Sequence, residues 1–394
     1  MTPSDCAAAK INLQIDENEF IASLDPLNAD DLLPIIPQFN KNHNVNGLIE
    51  LANQIMPSEA DVRSWDYYEA NAAVRDVGFL LGSLKRHRVE PCSVIPNLEM
   101  IMKMLSEKTF LPPRDTLLHY TVWNPCGTRR RTYTGTLDEQ CLIESVAMAM
   151  SPLVKAIYLL VELHRIPIQS AAFKAVCDRI NIHFQKVIEG IVFARRHVSL
   201  SYFSKELRFY FDPVMIGDRE YLGPGAVEMP MFVFDHLLWS SNCMDEEYDT
   251  FKKTYVPYIH WEMREIYHRL ENKPNLIDKG IDTIITRGIA SDPVVCESMK
   301  GLYSIMQQLK SFRMPHKTVA EEAYSHVIAG KNKPVCPLKS DFHELRDNGS
   351  GGYSPGILSH ILKLSNQKME RLNEYVRPNL KPGLCHALSG SASR

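Results

Sequence analysis

The chain has 394 residues, 45% of them hydrophobic, a formal net charge of −3 and a pI near 6.5. That length allows roughly two to three domain-sized units or one large helical body, and the charge balance lacks the basic field of a nucleic-acid binder. No apolar run reaches the ~18 residues of a membrane span, and Met1 to Lys10 has neither the basic start nor the apolar stretch of a secretory signal, so a cytoplasmic protein with no membrane partner is expected. The nine cysteines are scattered and no Cys-x-x-Cys occurs. This argues against a disulfide framework, a zinc ribbon and covalent haem attachment.

Read in order, residues 1–24 form a polar arm. Asp30-Asp31 and Pro34 to Pro37 then give an acidic cap and a proline-broken turn. Gly47 to Ile55, Tyr68 to Lys85 and Ile95 to Leu105 are predicted helices. In the second, Ala70, Ala73, Val74, Val77, Leu80, Leu81 and Leu84 recur at three-four spacing. His119, Tyr120, Val122 and Trp123 read as extended, and Gly127 to Arg131 as an exposed basic loop, either a solvated turn or an anion contact. Leu137 to His164 reads as two helices split at Ser151-Pro152, Phe173 to Val198 as one long helix, and Leu222 to Pro230 as a glycine-proline loop. Met231 to Trp239, Phe251 to Leu270, Leu276 to Arg287, Pro293 to Phe312 and Ser354 to Val376 are helical again. Gly383 to Arg394, rich in Ser, Ala and Gly, reads as a disordered tail. The class is mainly α, with a small helical part at 25–112, a larger helical part at 113–380 and a tail from 381 to 394.

Four stretches could carry chemistry. Pro315 suits a helix start, which would put His316 in a first turn followed by Ala320, Ala323 and Val327 on its side. An imidazole among small residues can be an axial ligand to a haem iron, or an ordinary core or surface histidine. Tyr202 to Phe211 packs aromatics around Arg208, which suits a flat ligand bearing a carboxylate as well as a plain aromatic core patch. Gly223 and Gly225 flank Pro224 and let backbone approach a ligand or simply make a turn. Ser350-Gly351-Gly352-Tyr353 is either a loop that closes over a substrate or a plain flexible one.

Several blocks occur together: Arg75-Asp76-Val77-Gly78-Phe79 with Leu81 to His87, Leu111 to His119 with Val122-Trp123-Asn124-Pro125, Tyr133-Thr134-Gly135, Tyr221 to Pro230, Pro315-His316, Ala323-Tyr324 and Ser350 to Tyr353. From about Asp25 to Val376 the chain resembles the monodechloroaminopyrrolnitrin synthases, members of the haem superfamily that includes the indoleamine and tryptophan 2,3-dioxygenases. The resemblance implies a helical bundle of the indoleamine 2,3-dioxygenase type around non-covalent haem b. It also implies His316 as the iron's axial ligand, and Tyr324 and Ser350 against the amino-acid part of the substrate. Arg208 would pair with the substrate carboxylate, with Tyr202 and Phe203 as distal aromatics and Glu144 and Ser145 on the distal helix. Gly223, Gly225, Gly351 and Gly352 are the glycines expected to line the cofactor. The implied substrate is tryptophan or 7-chlorotryptophan, with dioxygen or peroxide as co-substrate. The implied reaction converts the indole to a phenylpyrrole with loss of the carboxyl group. Ring opening to N-formylkynurenine, a haem- or indole-binding sensor without turnover, and a homodimer remain open. The segment Gly330 to Asn348 is longer than this family leads one to expect.

Overall fold

The structure is a computed structural model that describes residues 17–331 and 356–376; within the helix that ends at Lys331, the side chains of His316 and of residues 318–331 are outside the description. Helices dominate, and among the described residues the strands form one short antiparallel hairpin, Val214–Ile216 against Arg219–Tyr221. Gly217, at φ +68° in its two-residue turn, supplies the left-handed backbone that such hairpins need.

Two hydrophobic cores organise the chain. The first is built around the helix Tyr67–Arg86, which starts at Asp66 in a capping box with Glu69 and is buried on nearly every face from Ala70 to Leu84. Leu48, Leu51, Ile101, Leu105 and the hairpin residues Val214 and Ile216 close over it. Its packing is tight enough that a Cβ at Gly82 would lie 2.5 Å from Tyr133 Oη and 2.5 Å from the Tyr210 carbonyl. Gly82→Ala should therefore cost about 1–3 kcal/mol of stability or more, whereas Gly47→Ala need only displace side-chain atoms; paired melting curves check this.

The second core is formed by the helices Leu137–Leu163, Ala171–His197, Pro293–Lys331 and Gly356–Val376 with the segments between them. Ala171–His197 and Pro293–Lys331 run side by side in the same direction. A Cβ at Gly301 would meet Cys177, Asn181 Nδ2 donates to Ser304 Oγ at 3.1 Å, and the Phe184 and Phe312 rings meet edge-on at 6.1 Å.

Both expected proline breaks in this core are absent. Leu137–Leu163 runs through Pro152, and Pro293–Lys331 runs through Pro315. Each proline removes one hydrogen bond, at a cost of about 3 kcal/mol. Burial of Ala149, Met150, Leu153 and Val154 around the first, and of Leu309, Phe312 and Arg313 before the second, outweighs it. His316 thus sits well inside a 39-residue helix and not in a first turn. The Phe251 to Leu270 expectation fails the other way: Pro257 separates Glu246–Tyr255 from Trp261–Leu270.

Leu117–Tyr120 is a helical turn, not an extended segment. The Thr116 amide donates to His119 Nδ1 at 3.0 Å, so the ring proton is on Nε2, which donates to Asn71 Oδ1 at 3.2 Å. Burial, with Arg75 and Arg114 nearby, pushes this imidazole down to about 3, so it is held neutral. The helix Leu137–Leu163 is long and apolar enough to cross a membrane, but over half of its most apolar window is buried inside the fold.

Candidate functional site

The helix Pro293–Lys331 carries the backbone of both His316 and Tyr324, eight residues or about 12 Å apart along it. Their side chains, together with Ser350, Gly351 and Gly352, lie outside the described residues. One turn before His316 the helix is clamped. Arg313 is buried and forms an ion pair with the buried Asp235. Asp235 also accepts from Tyr248 Oη at 2.5 Å and from Trp239 Nε1 at 3.0 Å. The guanidinium carbon of Arg313 lies 5.6 Å from the Trp239 ring centroid, and that ring stacks on Tyr248 at 5.7 Å. Trp239 belongs to a single π-helical turn, His236–Ser240, that continues the short helix Met231–Asp235. Arg313 Nη1 is buried and has no partner among the described residues.

The short helix Leu200–Lys205 packs against Pro293–Lys331, while its Tyr202 and Phe203 pack on the first core. The Tyr202 hydroxyl is fixed by two threonines. It donates to Thr134 Oγ1 at 2.5 Å and accepts from Thr136 Oγ1 at 2.8 Å, and burial raises its pKa. Thr134 Oγ1 in turn donates to Glu139, whose carboxylate also accepts the amides of Tyr133 and Thr134 at 2.7 Å. Arg208 is buried in the 3₁₀ turn Leu207–Phe211, with its guanidinium 5.6 Å from the Phe209 ring. The aromatic run around it divides: Tyr210 stacks on Tyr133 at 4.5 Å and Phe211 meets Tyr120 edge-on, both in the first core.

The remaining expected residues are more dispersed. Ser145 is buried and donates to the Leu142 carbonyl at 2.7 Å. Glu144 is half exposed and bound to Arg130 at 2.7 Å. At Gly223 a Cβ would lie 2.6 Å from the Phe211 carbonyl and 3.0 Å from Arg114, so the backbone that this glycine admits is the protein's own. Gly225 is extended, at φ −152°. The basic loop is not a solvated turn. Arg131 is buried against Asp76 at 2.9 Å and Asp30 at 2.6 Å, and Arg129 binds Asp30 at 2.6 Å.

Against this geometry, the family model for Monodechloroaminopyrrolnitrin synthase PrnB matches residues 17–377. The chain belongs to this family. The match runs through both cores, the hairpin and the helix bearing His316. Membership in the PrnB family makes the chain an enzyme of the pyrrolnitrin-biosynthetic type. Asp235 and Arg313 were not singled out in the sequence, although a signal was present. Asp235 is one acid in the apolar run Met231 to Trp239, and Arg313 lies three residues before His316, on the same side of the helix.

Proposed function

We propose that the protein is a haem b enzyme that takes tryptophan or a halogenated tryptophan and rearranges its indole to a phenylpyrrole with loss of the carboxyl group, with dioxygen or peroxide as co-substrate. The observation that carries this reading is Arg313. A buried guanidinium with an N–H unpartnered among the described residues, one turn from His316, fits a group that brings its own carboxylate, as a haem propionate would. Membership of the PrnB family supports the substrate class.

In this reading His316 holds the iron through a neutral imidazole, and Arg313 meets an acidic edge of the cofactor. Haem, when bound, supplies the redox-active iron that couples the oxidant to the indole. Arg208 pairs with the carboxylate of the amino acid, for which a forked guanidinium in a buried turn is suited. Tyr202, with its hydroxyl held by Thr134 and Thr136, offers its ring as a fixed wall, and Phe203 extends it. Tyr324 and Ser350 bind the amino-acid part of the substrate. The expected result for His316→Ala is a folded protein without a Soret band after haem-supplemented expression; full haem retention would exclude His316 as the ligand. Product analysis with tryptophan and 7-chlorotryptophan should give a decarboxylated phenylpyrrole, and accumulation of N-formylkynurenine would replace the rearrangement by ring-opening dioxygenation.

A further inference from the structure

The helix Gly356–Val376 packs against the helix that bears His316, and two carboxylates fasten it to the rest of the second core. Asp245 holds His360 in its front half, and Asp278 holds Lys368 in its back half. We propose that the two fastenings differ in kind. The pair His360–Asp245 is a pH-sensitive latch that loosens the front half of the helix as the imidazole loses its charge, whereas Lys368–Asp278 holds the back half at any pH in that range.

His360 Nε2 lies 2.9 Å from each oxygen of Asp245 and 3.8 Å from Glu247 Oε2. Asp245 also caps the helix Glu246–Tyr255 by accepting the Tyr248 amide at 2.8 Å. Burial works against its charge, but the Tyr248 amide and His360 outweigh that and hold the carboxyl below its usual range. It is therefore an anion wherever histidines titrate. Lys252, whose charge also reaches Asp245, is bound to Asp249 at 2.6 Å. The Cys243 thiol nearby is pushed up by burial and takes no part. Of the side-chain types gathered here, histidine alone ordinarily changes charge between about pH 5 and 8.

A neutral ring can still donate its Nε2 proton to Asp245, so the hydrogen bond survives deprotonation. What fades is the attraction of a cation for two carboxylates, which is present at the acid end of the histidine range and lost as the pH rises through it. With side chains 28% and 21% exposed, the pair is screened less than an open surface pair. The back half has no such dependence. Lys368 Nζ donates to both oxygens of Asp278 at 2.8 Å, and Arg371 lies 3.7 Å from the same carboxylate. Asn275 Nδ2 also donates to Asp278, at 2.7 Å, where the helix Leu276–Arg287 starts. Ile357 and Ile361 keep the front half in the core, so the latch sets how often it opens locally and leaves the fold intact.

Amide hydrogen exchange on the full-length protein at about pH 5.5 and 8.5 tests this, with rates expressed as protection factors so that the intrinsic effect of pH cancels. Protection at 360–363 should fall about three- to fivefold from the lower pH to the higher, while that at 369–372 stays within about 1.5-fold. His360→Gln keeps a donor of fixed charge, and Asp245→Asn keeps a side chain that can cap the Tyr248 amide. In each variant the front half should be equally protected at both pH values. The proposal is overturned if the two halves of the parent lose protection together, if its front half does not respond to pH, or if either variant responds as the parent does.

Discussion

Asp76→Ala is expected to be among the most damaging single substitutions in this protein, with a loss of about 3–5 kcal/mol. Asp76 is fully buried and accepts four hydrogen bonds from two guanidinium groups: Arg75 Nε and Nη2 at 2.8 and 2.9 Å, and Arg131 Nε and Nη2 at 2.9 and 3.3 Å. Arg75 spends its remaining N–H groups on the carbonyls of Ile21, Leu24 and Trp123. One carboxylate therefore ties the segment around residues 21–30 and the loop at 123–131 to the central helix Tyr67–Arg86. Without it two guanidinium groups face each other in the interior, with Asp30 at 2.6 Å and Asp25 at 3.8 Å from Arg131, both partly exposed, as the remaining counter-charges among the described residues. The exposed i,i+4 pair Arg63–Glu59, with side chains 71% and 46% accessible, is the control: Glu59→Ala should cost no more than about 0.5 kcal/mol. Denaturant melts of the two variants give the comparison, and equal midpoints would show that the buried network contributes no more than a surface pair.

This network also shows where sequence reading reaches its limit. The helix Tyr67–Arg86 was legible because its apolar residues recur at helical spacing and one-sided burial needs nothing else. The arginines at 129–131 read as an exposed loop, solvated or in contact with an anion, because a run of three cations carries no mark of its counter-ions. The partners of Arg129 and Arg131, Asp30 and Asp76, lie 55 or more positions away in the chain. Pro152 and Pro315 misled for a related reason. Their local cost is visible in sequence, but the burial that outweighs it depends on neighbours supplied by distant helices. The His119 segment read as extended because its tyrosine, valine and tryptophan favour strands, whereas a capping box with Thr116 folds it into a turn. For the candidate site, Arg208 and the Tyr202 segment are singled out by composition and family resemblance. Asp235 and Arg313 are a pair 78 residues apart, and the lone acid in an apolar run and the arginine one turn before His316 carry no mark in the sequence of being each other's partner.

Asp235→Ala should destabilise the protein by about 3–5 kcal/mol and, in the proposed function, loosen haem by releasing Arg313 from its fixed position. The substitution leaves Arg313 buried with no counter-ion, and Tyr248 Oη and Trp239 Nε1 without their acceptor. The two effects have separable causes. Stability depends on the charges being matched, so the double variant Asp235→Leu/Arg313→Met, which removes both charges in favour of apolar groups of similar size, should recover most of it. Haem retention in the proposed function depends on Arg313 itself meeting an acidic cofactor edge beside His316. The double variant should therefore stay folded and still lose the Soret band during gel filtration, as should Arg313→Met alone. If the double variant holds haem as well as the parent, Arg313 serves only to clamp the helix, and the anionic edge of the cofactor must be met elsewhere. If it remains as unstable as Asp235→Ala, the loss comes from the orphaned Tyr248 and Trp239 donors and not from the unmatched guanidinium.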